Sequence, residues 1–256
     1  MNNIAPAYLT PVELAGTVTS VAALLFGLYN ALKRARLPIR DRRLAVWSAA
    51  GLLAAWFLAT LLPTILGSYR GVSSRTPTIQ YGVLIPIVVG VVLFWRWPAL
   101  KRVIRLVPQE WIVGVQAYRA LGLIFLLLYA GGYLPGAFAL PAGIGDVIVG
   151  LFAPIVGIAF ARGSHGSAAM VRAWNLFGLA DLIVAVGTGF LTAPSRFQML
   201  AFDRPNELIS AFPLALVPVF LVPLSVLLHL ASLAKLRRPQ TGSGAVSTPV
   251  LAGVRG

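Results

Sequence analysis

The chain has 256 residues, 58% of them hydrophobic and only 11% charged, and its mean hydropathy is +0.85. An ordinary soluble domain is about 45–50% apolar and about 25% charged, so the composition argues against a water-soluble globular enzyme and rules out a disordered chain. The 21 Lys and Arg against 7 Asp and Glu, a net charge of +14, fit either a nucleic-acid footprint or the basic cytoplasmic loops of a membrane protein.

The class left is an all-α polytopic transmembrane bundle. A spanning helix needs roughly 20 mostly apolar residues, and seven segments qualify: 12–32, 44–66, 78–95, 118–134, 143–161, 173–191 and 208–236. The start of the chain has no basic region followed by a short apolar run and a small-residue cleavage site. The first segment therefore reads as a retained span rather than a signal peptide. Pro86 and Pro154 predict bends in the third and fifth spans. The fourth either starts at Tyr118 or extends back toward Trp111, with residues 110–117 as an interfacial turn or part of the span. Between the fourth and fifth, LPGAFALPAG (134–143) is uncharged and holds two prolines, and it reads as a re-entrant or interfacial loop. Pro213, Pro218 and Pro223 predict a kink or break at the start of the seventh. Residues 1–238 form one seven-helix domain on this reading, and 239–256, rich in Gly, Ser and Pro, a disordered cytoplasmic tail.

The basic residues alternate with the loops. Six lie between the first two spans (Lys33, Arg34, Arg36, Arg40, Arg42, Arg43) and four between the third and fourth (Arg96, Lys101, Arg102, Arg105). The odd loops and the C-terminus carry sixteen, and the N-terminus and even loops carry four. That asymmetry predicts an outside N-terminus and a cytoplasmic C-terminus, with anionic lipid headgroups as partners of the basic loops. It also removes the nucleic-acid reading. Trp95, Trp97, Trp111 and Trp174 fall near the expected cytoplasmic ends and read as an interfacial belt.

Two internal matches are visible. GIGDVIVG (143–150) and GLADLIVA (178–185) share one pattern, which reads as shared helix packing because the two spans run in opposite directions. The pairs Trp47/Gly51 with Trp174/Gly178 and Leu84–Ile87 with Leu216–Val219 instead suggest a three-plus-one-plus-three parallel repeat, an arrangement found in some small transporters.

Ionisable groups inside a bilayer cost roughly 2.5–3.5 kcal/mol each on insertion scales, and those that need an explanation are few: Glu13, Arg119, Asp146, Asp181 and His229. At a rise of about 1.5 Å per residue, Arg119, Asp181 and His229 are expected to share a layer in the cytoplasmic half, with Asn175 nearby. Glu13 and Asp146 are expected near the outer face, Asp146 as a helix N-cap. A buried Arg–Asp pair is tolerable where either charge alone is not, and His229 is able to change charge near neutral pH. The cluster reads as an inner gate or proton-linked site, or as a clamp between three helices. Gly143, Asp146, Gly150, Ala153 and Gly157 share one helical stripe, and Gly178, Asp181, Ala185 and Thr188 another. Such faces allow close helix approach.

Several enzyme classes fail on inventory, which leaves an intramembrane enzyme as a third reading behind the two below. Cysteine is absent and there are two histidines, so neither a metal site nor any other cofactor is expected. Lys33, Lys101 and Lys235 all lie at span ends, which leaves no Schiff-base lysine for retinal. No G-x-x-x-x-G-K-[ST] or G-x-S-x-G motif occurs. The run Tyr118-Arg119-x-x-Gly122, then LPGAFALPAGIGD, then Trp174-Asn175-x-x-Gly178-x-x-Asp181 resembles small multipass bacterial membrane proteins of unassigned function. The resemblance covers residues 118–236 and implies a bacterial inner-membrane location. Taken together, the leading expectation is a transporter of a small solute or ion with proton linkage. The alternative is a non-catalytic sensor, assembly factor or complex subunit, with a second copy of the chain as a further candidate partner.

Overall fold

With no water in a hydrocarbon layer to satisfy them, backbone N–H and C=O groups must pair within the chain, and a lone apolar segment does so only as a helix. The computed structural model describes residues 5–72 and 75–237, and among them helices and turns are the only regular structure. The tail expected to be disordered, 239–256, lies outside the described residues.

Three helices open the chain: α1 (Leu9–Arg34), α2 (Ile39–Ile65) and α3 (Ile79–Arg96). A short helix α4 (Pro98–Leu106) follows, then α5 (Gln109–Gly114), which tightens into a 3-10 segment (Val115–Gly122) and runs on as α6 (Leu123–Ala130). The long helices α7 (Gly136–Ala161) and α8 (Ser167–Thr192) come next, and α9 (Val222–Leu236) closes the fold behind a π-helical segment (Val217–Leu221). Seven helices, counting Gln109–Ala130 and Val217–Leu236 each as one, are long and apolar enough to cross a membrane. Large apolar side chains point outward along them, Leu58, Val88, Phe152, Ile155 and Ile183 each more than half exposed. A surface of that kind suits lipid and not water.

The first three spans lie within a few residues of their expected bounds. The fourth starts at Gln109, as in the longer of its two readings, and the sixth at Ser167, earlier than expected, and this changes how deep their polar residues sit. The largest correction concerns LPGAFALPAG. Only its first residues are a turn: Pro135 caps α7, and the helix runs through Pro141 and on through Pro154. Proline reads as a loop signal in water, but at membrane depth the flanking backbone stays helical because a loop would strand its polar groups. The seventh span is broken as expected. The π segment begins next to Pro218 and gives way to α9 at Pro223, and neither proline has an N–H for an α-helical bond. The third loop holds an unforeseen helix: in α4, Arg102 and Arg105 are exposed while Leu100, Val103 and Ile104 are half-buried.

Two apolar clusters bracket the interior. One, at the face where α1 begins, joins Leu9, Phe125, Leu128, Phe138 and Leu208; the other, toward the opposite face, joins Val113, Val149, Val156, Val171 and Trp174. Along α5–α6, α7 and α8 alike, the residues between these clusters are Arg119, Asp146 and Asp181.

The halves of the proposed repeat sit in unlike surroundings. Trp47 is 74% exposed and Trp174 buried, Gly51 faces open space and Gly178 packs on His229, and Pro86 lies in a regular helix while Pro218 lies in the π segment.

Candidate functional site

Arg119 sits ten residues into the span Gln109–Ala130, roughly 15 Å from its start, and is 3% exposed. Every nitrogen of its guanidinium is engaged. Nε donates to Asp146 Oδ1 at 2.7 Å and Nη2 donates to Asp181 Oδ2. Nη1 donates to the Gly178 carbonyl at 3.3 Å and to His229 Nε2 at 3.1 Å. A guanidinium has donors only, so Nε2 of His229 must accept, and Nδ1 carries the proton that it donates to Asn175 Oδ1 at 2.9 Å. The imidazole in this arrangement is neutral, with both nitrogens committed.

From Asn175 the hydrogen bonds continue toward the end of α9. Asn175 Nδ2 donates to Ser232 Oγ at 2.8 Å, and the same oxygen accepts from Gln109 Nε2 at 2.6 Å. The polar groups thus form an unbroken chain from Gln109 and Ser232, through Asn175, His229 and Arg119, to the two aspartates. The Trp174 ring lies 4.9 Å from the His229 ring, centroid to centroid, and its Nε1 donates to the Val149 carbonyl.

The close packing comes from glycines. A Cβ at Gly145 would overlap the Asp181 carboxylate, one at Gly150 the backbone of Ala120, and one at Gly178 the His229 ring. The expected stripe through Gly143, Gly150 and Gly157 packs α7 on the preceding span and Gly178 of the second stripe packs on α9, while the approach of α7 to α8 is at Gly145, outside the expected stripe. The 3-10 segment is itself narrower than an α-helix and carries Arg119 past Gly150. Lys235 Nζ donates to the Arg105 and Val107 carbonyls, tying the end of α9 to the turn between α4 and α5.

The expected cluster of Arg119, Asp181, His229 and Asn175 is brought together, but at a different depth and with one more member. Asp181 lies fourteen residues into α8, and the layer is central rather than confined to one half. Asp146 is neither an N-cap nor an outer group: with α7 starting at Gly136 it sits ten residues into that helix and pairs with Arg119. The matched pattern in GIGDVIVG and GLADLIVA thus marks the two carboxylates of one guanidinium. Trp174, expected in the interfacial belt, is buried against His229; Trp95 and Trp97 are exposed. Glu13 lies near the start of α1 as expected, yet it is only 6% exposed and turned inward.

Sequence reasoning missed Gln109, Gln116, Tyr118, Ser225 and Ser232. Tyr118 Oη and Ser225 Oγ are 2.6 Å apart, and the Gln116 amide nitrogen lies 3.4 Å from His229 Nδ1. A signal was present: Ser225, His229 and Ser232 follow the i, i+4, i+7 spacing of one helix face.

Two cavities adjoin the cluster from the face where α1 begins. One, of about 40 Å³, is lined by Glu13, Tyr118, Arg119, Asp146 and Ser225 together with apolar side chains. The other, of about 70 Å³, is almost wholly apolar and runs among α3, α6, α7, α8 and the π segment, with Asp146 and Gln80 as its polar lining. They share Phe125, Asp146, Leu182, Val217 and Val222 as a common wall. Asp181 lines neither.

A family model described as a domain of unknown function (DUF8737) matches residues 76–237, and the chain belongs to that family. The match takes in α3 to α9 and every member of the Arg119 cluster; Glu13, α1 and α2 lie before it. No curated protein and no solved structure matches the chain.

Proposed function

We propose that this chain is a multi-pass protein of the bacterial inner membrane that moves a small solute or ion with proton linkage through the Arg119 cluster. One observation carries the reading. A continuous hydrogen-bonded chain rises from Gln109 and Ser232 to Asp146, and cavities reach Asp146 from the other side. Ionisable groups held at mid-membrane in this way mark solute and proton paths in membrane proteins. The helix irregularities support it further: the 3-10 segment carries Arg119 and the π segment walls both cavities, and such breaks accompany functional sites.

The basic side chains support an outside N-terminus and a cytoplasmic C-terminus. Exposed Arg96, Arg102 and Arg105 on and beside α4 offer cations to anionic lipid headgroups on that side.

A second reading is a non-catalytic membrane component in which Arg119 clamps α7, α8 and α9. The full engagement of its guanidinium and the packing of Asp181 away from both cavities favour it. Proteoliposomes separate the two. Under the transport reading, one of a panel of small solutes drives proton movement with the wild-type chain, and Asp181→Asn abolishes it. Absence of flux for every solute with the wild type would leave the clamp.

A further inference from the structure

Glu13 is the one buried carboxyl that the Arg119 cluster does not use. Its side chain is buried on α1, and its Oε1 has no hydrogen-bond partner. It lines the 40 Å³ cavity together with Asp146, whose Oδ1 holds Arg119 while its Oδ2 takes part in no hydrogen bond among the described residues. The Asp146 side chain keeps 15% of its surface accessible against 6% for Asp181, and it is Asp146 that lines the cavity. At roughly 10–15 Å³ for each water, the space suits about three waters with polar partners on both sides.

The charges point the same way. Two carboxyls, those of Asp146 and Asp181, hold the one guanidinium, and a third, that of Glu13, lines the cavity that Arg119 and Asp146 share. Ionising all three would leave two uncompensated negative charges away from water, which is far costlier than keeping one neutral. Asp146 and Asp181 are each bonded to Arg119; Glu13 touches no cation. The other groups facing Glu13 do not alter the count. The segment 115–122 presents Tyr118 and Arg119, α7 presents Asp146, and α9 presents Ser225. The charges of α2 lie in Arg40–Arg43, at the opposite end of α1, where α4 also packs.

We infer that Glu13 is a proton-carrying group that exchanges its proton with Asp146 through water in this cavity. The carboxyl O–H of Glu13 gives its proton to a bridging water as that water passes one of its own to Asp146 Oδ2. Glu13 is left a carboxylate and Asp146 an acid, with the total charge unchanged and the Asp146–Arg119 pair weakened. Reloading Glu13 from the face where α1 begins then adds one proton to the site. The inference supplies the proton donor for the transport reading and rests on that reading for its purpose, while the protonation itself is testable alone.

Infrared titration of the purified full-length chain in lipid tests it. A protonated-carboxyl C=O band is expected in the wild type, shifting when glutamate is ¹³C-labelled. It should be lost in Glu13→Gln and kept in Glu110→Gln and Glu207→Gln, and its titration midpoint should move in Asp146→Asn. A band insensitive to the glutamate label, or none at all, overturns the inference without any substitution that could disturb folding. Survival of the band in Glu13→Gln does the same, and an unmoved midpoint in Asp146→Asn removes the exchange with Asp146. A chain that keeps the band but moves no solute would refute transport while leaving Glu13 protonated, and flux without the band would do the reverse.

Discussion

Asp146 accepts the Nε–H of Arg119 at 2.7 Å from a position ten residues inside α7, and Asp181 holds Nη2 of the same guanidinium from α8. One cation thus joins three spans near their middles. Removing a single partner of such a buried pair leaves the other charge uncompensated, at a cost of roughly 3–5 kcal/mol. Arg119→Ala should lower the unfolding midpoint in detergent more than the triple variant Arg119→Met, Asp146→Asn, Asp181→Asn. Arg119→Lys should fall between the wild type and Arg119→Ala, because an ammonium keeps the charge and loses the planar fork. Equal losses in the single and triple variants would show that pairing of charge is not what the site supplies.

The glycines of α7 set the distance at which this pairing forms. Gly150→Ala places a methyl on the Ala120 backbone, which cannot swing aside as a side chain would, and overpacking of this kind costs roughly 1–3 kcal/mol. Gly51→Ala meets nothing within 4 Å and should be neutral or mildly stabilising through helix propensity. Thermal unfolding of the two variants side by side checks both signs.

Asn175→Leu strands the Nδ1–H of His229 in a buried setting and takes from Ser232 Oγ one of its two donors, leaving Gln109 Nε2. An unsatisfied buried polar group costs about 1–3 kcal/mol, and the combined variant Asn175→Leu, His229→Phe should be less destabilised than the two single losses added together. A double-mutant cycle with a coupling near zero would break the proposed polar chain at its centre.

The absence of native cysteine makes topology directly measurable. With the N-terminus outside, His165→Cys should react with an impermeant thiol reagent only from the cytoplasmic face, and Asp203→Cys only from the outer face. Both positions are exposed turns between spans. Reaction of either from the wrong side reverses the orientation drawn from the basic loops.

Much of this architecture was legible in the residues. Apolar runs of membrane-spanning length marked seven helices, and the cost of intramembrane charge singled out Arg119, Asp181 and His229 before any contact was known. Asp146 looks terminal in the sequence because Pro135 and Pro141 read as a loop, which puts the start of α7 seven residues late. Trp174 looks like a belt residue because hydropathy fades before the helix does, which puts the start of α8 after its true start at Ser167. The cost of Glu13 is legible in the first span, but nothing there says that its carboxyl shares a cavity with the fourth and fifth.

What the sequence determined by itself is whatever depends on one helix and its solvent: how many spans, which side collects the basic residues, and which few charges need an explanation. A single helix's period places Asp146 beside Gly150 and Asp181 beside Gly178, and the physics of hydrocarbon requires those carboxylates to find partners. Only the tertiary structure decided that both find the same one. Helix periodicity settles which residues share a face, but which faces meet depends on backbones that approach at Gly145, Gly150 and Gly178. That approach carries two aspartates of one repeated pattern to a single arginine and leaves Glu13 sharing a cavity with Asp146 alone of the two.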